Sequence, residues 1–144
     1  MKFKFKEDEI FFIDLLNEDF KWDYFDFSEP KEKRKNFNKN RNTILEKLIS
    51  EYGHKCQLNY IDICDESTGF VVDHIIPLST NVLNKKLRNQ KPVDKNHKVQ
   101  SESYGSNNYC NLIIACNKCN AYKKNKILDD HTLKKLIYKK NLSL

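Results

Sequence analysis

The chain has 144 residues, 39% of them hydrophobic, with a formal charge of +6 and an isoelectric point near 9.0, which fits one modest domain with its own core. No run of about eighteen apolar residues occurs, so a helical membrane span is excluded. The opening "MKFKFKEDEI" lacks the unbroken apolar segment of a signal peptide, so an intracellular, cytoplasmic chain is expected.

Charge divides unevenly along the chain. Residues 1–30 hold four lysines against nine acidic residues, a balance of −5, which leaves +11 on residues 31–144. A field of that sign attracts polyanions, nucleic acid first among them, with plain solubility as the alternative.

In chain order, "EDEIFFIDLLNEDF" at 7–20 places Ile10, Ile13, Leu16 and Phe20 near one face, with Phe12 and Leu15 beside them, and predicts an amphipathic helix. The aromatic "KWDYFDF" follows, and Ser28-Glu29-Pro30 reads as a boundary. This acidic arm is most simply a covering layer or a dimer surface, or else a cover over the basic surface. Stacking of Trp22, Tyr24, Phe25 and Phe27 on bases is opposed by their acidic neighbours. The run "KEKRKNFNKNR" at 31–41 carries six basic side chains without apolar period, which leaves a solvated linker, a helix face and a phosphate-binding arm all open. "NTILEKLISEYG" predicts a helix, with Thr43 and Glu46 at capping-box spacing and Gly53 as the stop. "YIDIC" and "GFVVDHII" predict short strands or a hairpin around residues 66–69. Residues 79–110 form a long polar stretch, of the kind that is usually functional when found inside a small domain. "NLIIAC" returns to strand composition, "CNAYKKNKIL" opens a helix, and "HTLKKLIYKKN" predicts a last one. No internal repeat occurs.

Three pieces carry chemistry in this order: "DHIIP" at 73–77, "NL" at 111–112, and "CNKCN" with "YKKNK" at 116–126. Taken singly, an Asp-His pair after a strand could cap a turn, and Asn120 could cap a helix. Together and in sequence they resemble the HNH nucleases, over roughly residues 54–128. The resemblance implies an α+β fold: a ββα-metal core at 54–128 carrying a basic insertion at 79–110, with a helical arm at 1–53 and a C-terminal helix at 129–144. It also implies a metal-dependent endonuclease acting on DNA, with restriction or defence against foreign DNA as the role that analogy suggests.

Position by position, the resemblance makes His74 the general base toward water, a task suited to imidazole. Asp73 and Asn120 would ligate a hard divalent ion, Mg²⁺ or Mn²⁺, and Asn111 would brace the loop that bears His74. Lys123, Lys124 and Lys126, with Lys85, Lys86 and Arg88 of the insertion, would meet the nucleic acid backbone. One such site cuts one strand, so a double-strand break needs two protomers or two events, which admits a homodimer.

Cys116 and Cys119 form a CxxC knuckle, which in the zinc-containing branch of that family is completed by an upstream cysteine pair. Here the chain departs from the pattern, because seven residues separate Cys56 from Cys64. Cys64 could complete a structural Zn²⁺ site, His54 could replace one ligand, or the cysteines could be small buried hydrophobes. Cys110 is assigned to packing. The rival function is a non-catalytic, zinc-stabilised nucleic-acid-binding module, which explains cysteines and charge but leaves Asp73, His74 and Asn120 without a purpose.

Overall fold

The computed structural model describes residues 3, 6–16, 22–80, 102–124 and 127–142. In chain order they form α1 (Lys6–Leu16), α2 (Pro30–Tyr52), β1 (Phe70–His74), β2 (Ser79–Thr80), β3 (Glu102–Ser103), β4 (Leu112–Cys116), α3 (Asn117–Lys123) and α4 (Asp130–Leu142). Single 3₁₀ turns lie at Trp22–Tyr24, Glu66–Thr68 and Tyr109–Asn111. The expected α+β class holds at that level, with two small antiparallel sheets, β1 with β4 and β2 with β3.

The β1–β4 ladder runs from Phe70 opposite Cys116 to His74 opposite Leu112. Leu112 and Ile114 join Val72, Phe37 and Leu48 in one cluster, whereas Ile113 and Ala115 belong to a larger one with Ile75, Ile76 and Leu133. Alternation along a strand sends these two sets to opposite faces. All five residues of β4 are buried because both faces of the pair are covered, which is why "LIIAC" reads as a continuous apolar run.

The first cover is α2, and its extent corrects the sequence reading. Residues 31–41 are its first half, and Thr43 and Glu46 lie in its middle instead of at its start. Pro30 at the first turn presets the helical φ, and the Gly53 N–H closes the other end on Ile49 O at 2.8 Å. Lys33, Phe37, Ile44, Leu48 and Tyr52 fall on one stripe. The period was hidden because a lysine occupies a core position. The Lys33 ammonium donates to three carbonyls, Asp26 O at 2.6 Å, Gly105 O at 2.7 Å and Leu78 O at 2.8 Å. Burying an ammonium costs several kcal/mol, and three hydrogen bonds from a charged donor, each about 1.5–3 kcal/mol, offset it. Burial still draws the Lys33 amine down to about 8, against the pull of Asp26. Gly105 has to be glycine here, since a Cβ would stand 2.0 Å from Ile76 O.

The second cover contains the acidic arm. Phe12, Phe25, Tyr104 and Phe3 are buried together, with Phe3 and Phe25 ring centroids 4.9 Å apart. The buried side of α1 is shifted from the expected stripe to its flank: Phe12 is buried, while Ile10 and Ile13 are 50% and 42% exposed. Phe12 wins because it enters an aromatic cluster and buries more area than an isoleucine; Phe20 lies outside the described residues. "YIDIC" is not a strand. Asn59 and Asp62 take φ of 46° and 64°, and the Cys64 N–H closes a turn on Tyr60 O at 2.9 Å. Asn and Asp tolerate that left-handed region. Residues 66–69 are a 3₁₀ turn capped by Asp65, not a hairpin. No described helix is long and apolar enough to cross a membrane.

Helix α4 is fastened to β4 by Lys140, fully buried, whose amine donates to Leu112 O and lies 4.0 Å from the centre of the Tyr109 ring. Burial lowers this amine to about 8, with Glu51 opposing. The folded-state value lies below the 10.5 of an ordinary lysine, so between those two pH values the unfolded chain binds the extra proton and this group adds stability as pH rises. Below about pH 8 both states carry the charge and its burial cost is fully present. In urea unfolding from pH 7 to 10.5, the wild type is expected to gain stability relative to Lys140→Met; parallel pH profiles would contradict this.

Candidate functional site

Two constellations flank the β1–β4 pair, one at the Cys116 end and one at the His74 end. The first is made of sulfur. The Sγ atoms of Cys56, Cys64, Cys116 and Cys119 all lie within 4.8 Å of one another, with Cys64 and Cys116 3.8 Å apart. A tetrahedral ion with bonds of about 2.3 Å requires sulfur separations of about 3.8 Å, so the group can hold a metal such as zinc. The left-handed turns at Asn59 and Asp62 accommodate the seven residues between Cys56 and Cys64 and deliver Cys64 to the cluster. His54 is outside it, its ring 5.8 Å from that of Phe70, and Cys110 packs on the larger core cluster.

Main-chain amides point at these sulfurs. Cys116 Sγ accepts from Cys119 N at 3.3 Å and from Asp65 N at 3.5 Å, and Cys56 Sγ accepts from Asn59 N at 3.3 Å. At Cys116 burial acts upward, but these amides prevail and bring the thiol down to about 7. Burial and the neighbouring sulfurs push Cys64 well up. A crowded set that favours one thiolate and resists others is balanced by a bound cation.

The second constellation is a cleft of about 360 Å³. β1 contributes Asp73 and His74, α3 contributes Asn120, Lys123 and Lys124, and α2 contributes Arg34, Phe37 and Asn38. The structure thus brings Asp73, His74 and Asn120 to one cavity. Asn120 sits inside α3, whose N-cap is Cys116. Asp73 is 7% exposed. Burial raises its pKa and Lys123 acts the other way. Asp73 Oδ2 makes no hydrogen bond and stands 3.2 Å from Lys123 Nζ, whose weak bond at 3.4 Å goes to Oδ1. Lys123, expected at the nucleic acid surface, is 2% exposed and donates to His74 O at 2.7 Å. It is the counter-charge of Asp73, and Lys124 alone of this pair is exposed at the rim. Lys126, Lys85, Lys86 and Arg88 lie outside the described residues.

His74 is held from three sides. Its Nε2 is 2.9 Å from Asn107 Oδ1, Phe37 meets its ring edge-on at 4.7 Å, and its carbonyl takes the Lys123 amine. Asn107 Nδ2 donates to Lys33 O at 2.8 Å, so the Asn107 oxygen faces His74 and Nε2 carries the proton. Nδ1 is then the acceptor of the ring. Burial, with the positive charges of Lys123, Lys33 and Arg34, lowers His74 to about 4 against the pull of Asn107, so the ring is neutral at pH 7. Sequence reasoning missed Asn107, Phe37 and Arg34. Asn107 sits in a polar stretch with no local pattern, and the α2 residues belong to the run whose conformation composition left open.

Asn111 is fully buried. Its Oδ1 accepts from Ile76 N at 2.8 Å, and its Nδ2 donates to Ile76 O and Ser106 O, both at 2.9 Å. The amide thereby fixes the turn after His74. In comparison with known proteins, no family model, no curated protein and no solved structure matches the chain.

Two measurements test this geometry. Elemental analysis of the purified chain by plasma mass spectrometry is expected to find one structural metal per chain, lost in Cys64→Ser and kept in His54→Ala. Retention by the first or loss by the second would break the four-sulfur assignment. Asn111→Ala strands one amide and two carbonyls and is expected to cost about 2–4 kcal/mol in urea unfolding. Asn111→Asp is expected to cost more, because a carboxylate would face the Ile76 and Ser106 carbonyls.

Proposed function

We propose that the chain is a metal-dependent endonuclease of the HNH type that hydrolyses phosphodiester bonds in DNA. The observation that carries this reading is a neutral histidine, oriented by Asn107 and sharing a cleft with Asp73 and Asn120, on a strand pair whose following helix is braced by four cysteines. Asp73, one of whose oxygens is buried and makes no hydrogen bond, and Asn120 both line the cleft, and both offer hard oxygen donors of the kind a small divalent cation takes. When bound, Mg²⁺ or Mn²⁺ would supply Lewis-acid charge to the phosphoryl group and the leaving 3′ oxygen.

The chain's own residues do the rest. His74 Nδ1 takes a proton from water as the water oxygen attacks phosphorus; the bond from phosphorus to the 3′ oxygen breaks, and that oxygen is protonated from solvent. Asn107 keeps the other ring nitrogen protonated and the ring in place. Lys123 opposes the effect of burial on the Asp73 carboxyl. Asn111 holds the turn that carries His74, and the cysteines, with zinc, hold α3 against β1 without entering the reaction.

A non-catalytic, zinc-stabilised nucleic-acid-binding module is the second reading, favoured by the Asp73–Lys123 pair, which matches the carboxylate without a cation. Supercoiled plasmid with Mg²⁺ or Mn²⁺ decides between them. The nuclease reading expects nicked or linear product, none in EDTA, and a rate lowered by about 10²–10⁴ in His74→Ala with an unchanged circular dichroism spectrum. DNA binding without cleavage under either metal supports the module.

A further inference from the structure

Helix α2 lies outside the motif-bearing part of the chain, yet it forms one wall of the cleft. Its rotation is fixed from behind. Lys33 is locked into three carbonyls and Phe37 is pressed on the His74 ring, so Arg34, one residue after Lys33, is turned out of the core while still lining the cavity that holds His74. Arg34 is exposed, and among the described residues it forms no ion pair. Lys31, Arg34, Asn38 and Arg41 share its side of the helix, within about 80° at 100° per residue. All four are exposed. The exposed Lys124, which caps the C-terminal end of α3, lines the same cleft.

We propose that α2 is a phosphate-binding wall of this site, with Arg34 gripping a backbone phosphate of the nucleic acid strand that lies in the cleft. This deepens the nucleic-acid reading above and rests on it. The guanidinium fork fits two phosphate oxygens at once, which an ammonium cannot do. The contact positions the strand against His74 and reads no base. The basic run at 31–41 is therefore divided by the helix into parts: Lys33 is structural, Arg34 and its neighbours on that side bind, and Lys39, about 140° around the helix from Arg34, faces elsewhere.

The test uses the full chain and a fluorescently labelled 20-base-pair duplex in EDTA, followed by anisotropy at several salt concentrations. Arg34→Gln is expected to weaken binding roughly tenfold, equally on two duplexes of unrelated sequence, and to reduce the salt slope by about one. Arg34→Lys is expected to restore the slope but only part of the affinity, and Lys39→Gln to behave as wild type. Because Arg34 is exposed, all three are expected to melt at the wild-type temperature. Equal losses in Arg34→Gln and Lys39→Gln, no loss in either, or no binding by the wild type would each overturn the proposal. Plasmid cleavage separates the two claims: Arg34-dependent binding without any cleavage keeps the phosphate wall and removes the nuclease, whereas His74-dependent cleavage with wild-type affinity in Arg34→Gln does the opposite.

Discussion

The ladder between β1 and β4 sets the distances in the cleft, and it is held in register by what happens at its ends. At one end His74 pairs with Leu112, Asn111 sits immediately before that partner, and its amide bonds Ile76 and Ser106 on either side. At the other end Phe70 pairs with Cys116, whose sulfur belongs to the four-cysteine group and caps α3. A slip of one residue would send Asp73 and His74 to each other's faces and would take Cys116 from its partners. The functional side chains are therefore fixed by backbone pairing first, and by their own contacts second.

Lysine plays an unusual part in this fold. Lys33, Lys123 and Lys140 are buried, and each gives its amine to main-chain carbonyls on another element: Lys33 to Asp26, Leu78 and Gly105, Lys123 to His74, Lys140 to Leu112. A long stem lets one residue cross a layer, bury its methylenes and still satisfy its charged end. The consequence reaches function, because the +11 carried by residues 31–144 overstates the charge offered to a polyanion. Part of it is spent inside, where it ties helices to strands and, at Lys123, balances Asp73.

Those buried lysines also explain what the sequence could and could not reveal. Strands β1 and β4 and the CxxC knuckle were legible because they rest on local apolar runs and a short fixed spacing, whereas the grouping of Asp73, His74, Asn111 and Asn120 was implied only by the resemblance. The first half of α2 was not, since Lys33 holds a core position and only a long-range cradle, with one carbonyl 72 residues away, makes that favourable. Asn107 was invisible for the same reason, its partners being 33 residues back on β1 and 74 back on α2. The centre of the buried face of α1 was misplaced because periodicity weighs isoleucine and phenylalanine alike, whereas the aromatic cluster selects Phe12. "YIDIC" has strand composition, but its Asp62 and the preceding Asn59 serve turns that bring Cys64 to the other three cysteines.

Lys123 and a divalent cation would both draw on Asp73, and the geometry shows how the nuclease reading accommodates the two. Lys123 makes its hydrogen bond to Oδ1 and keeps a stronger one, at 2.7 Å, to the His74 carbonyl. Its anchorage therefore does not depend on Oδ2, the oxygen that makes no hydrogen bond. Released from its 3.2 Å contact with Oδ2, Lys123 would still be tied to the strand through the His74 carbonyl. The same amine also bonds the backbone of the residue proposed as base, so charge matching at Asp73 and the placement of His74 are one arrangement, fixed by a single lysine at the end of α3.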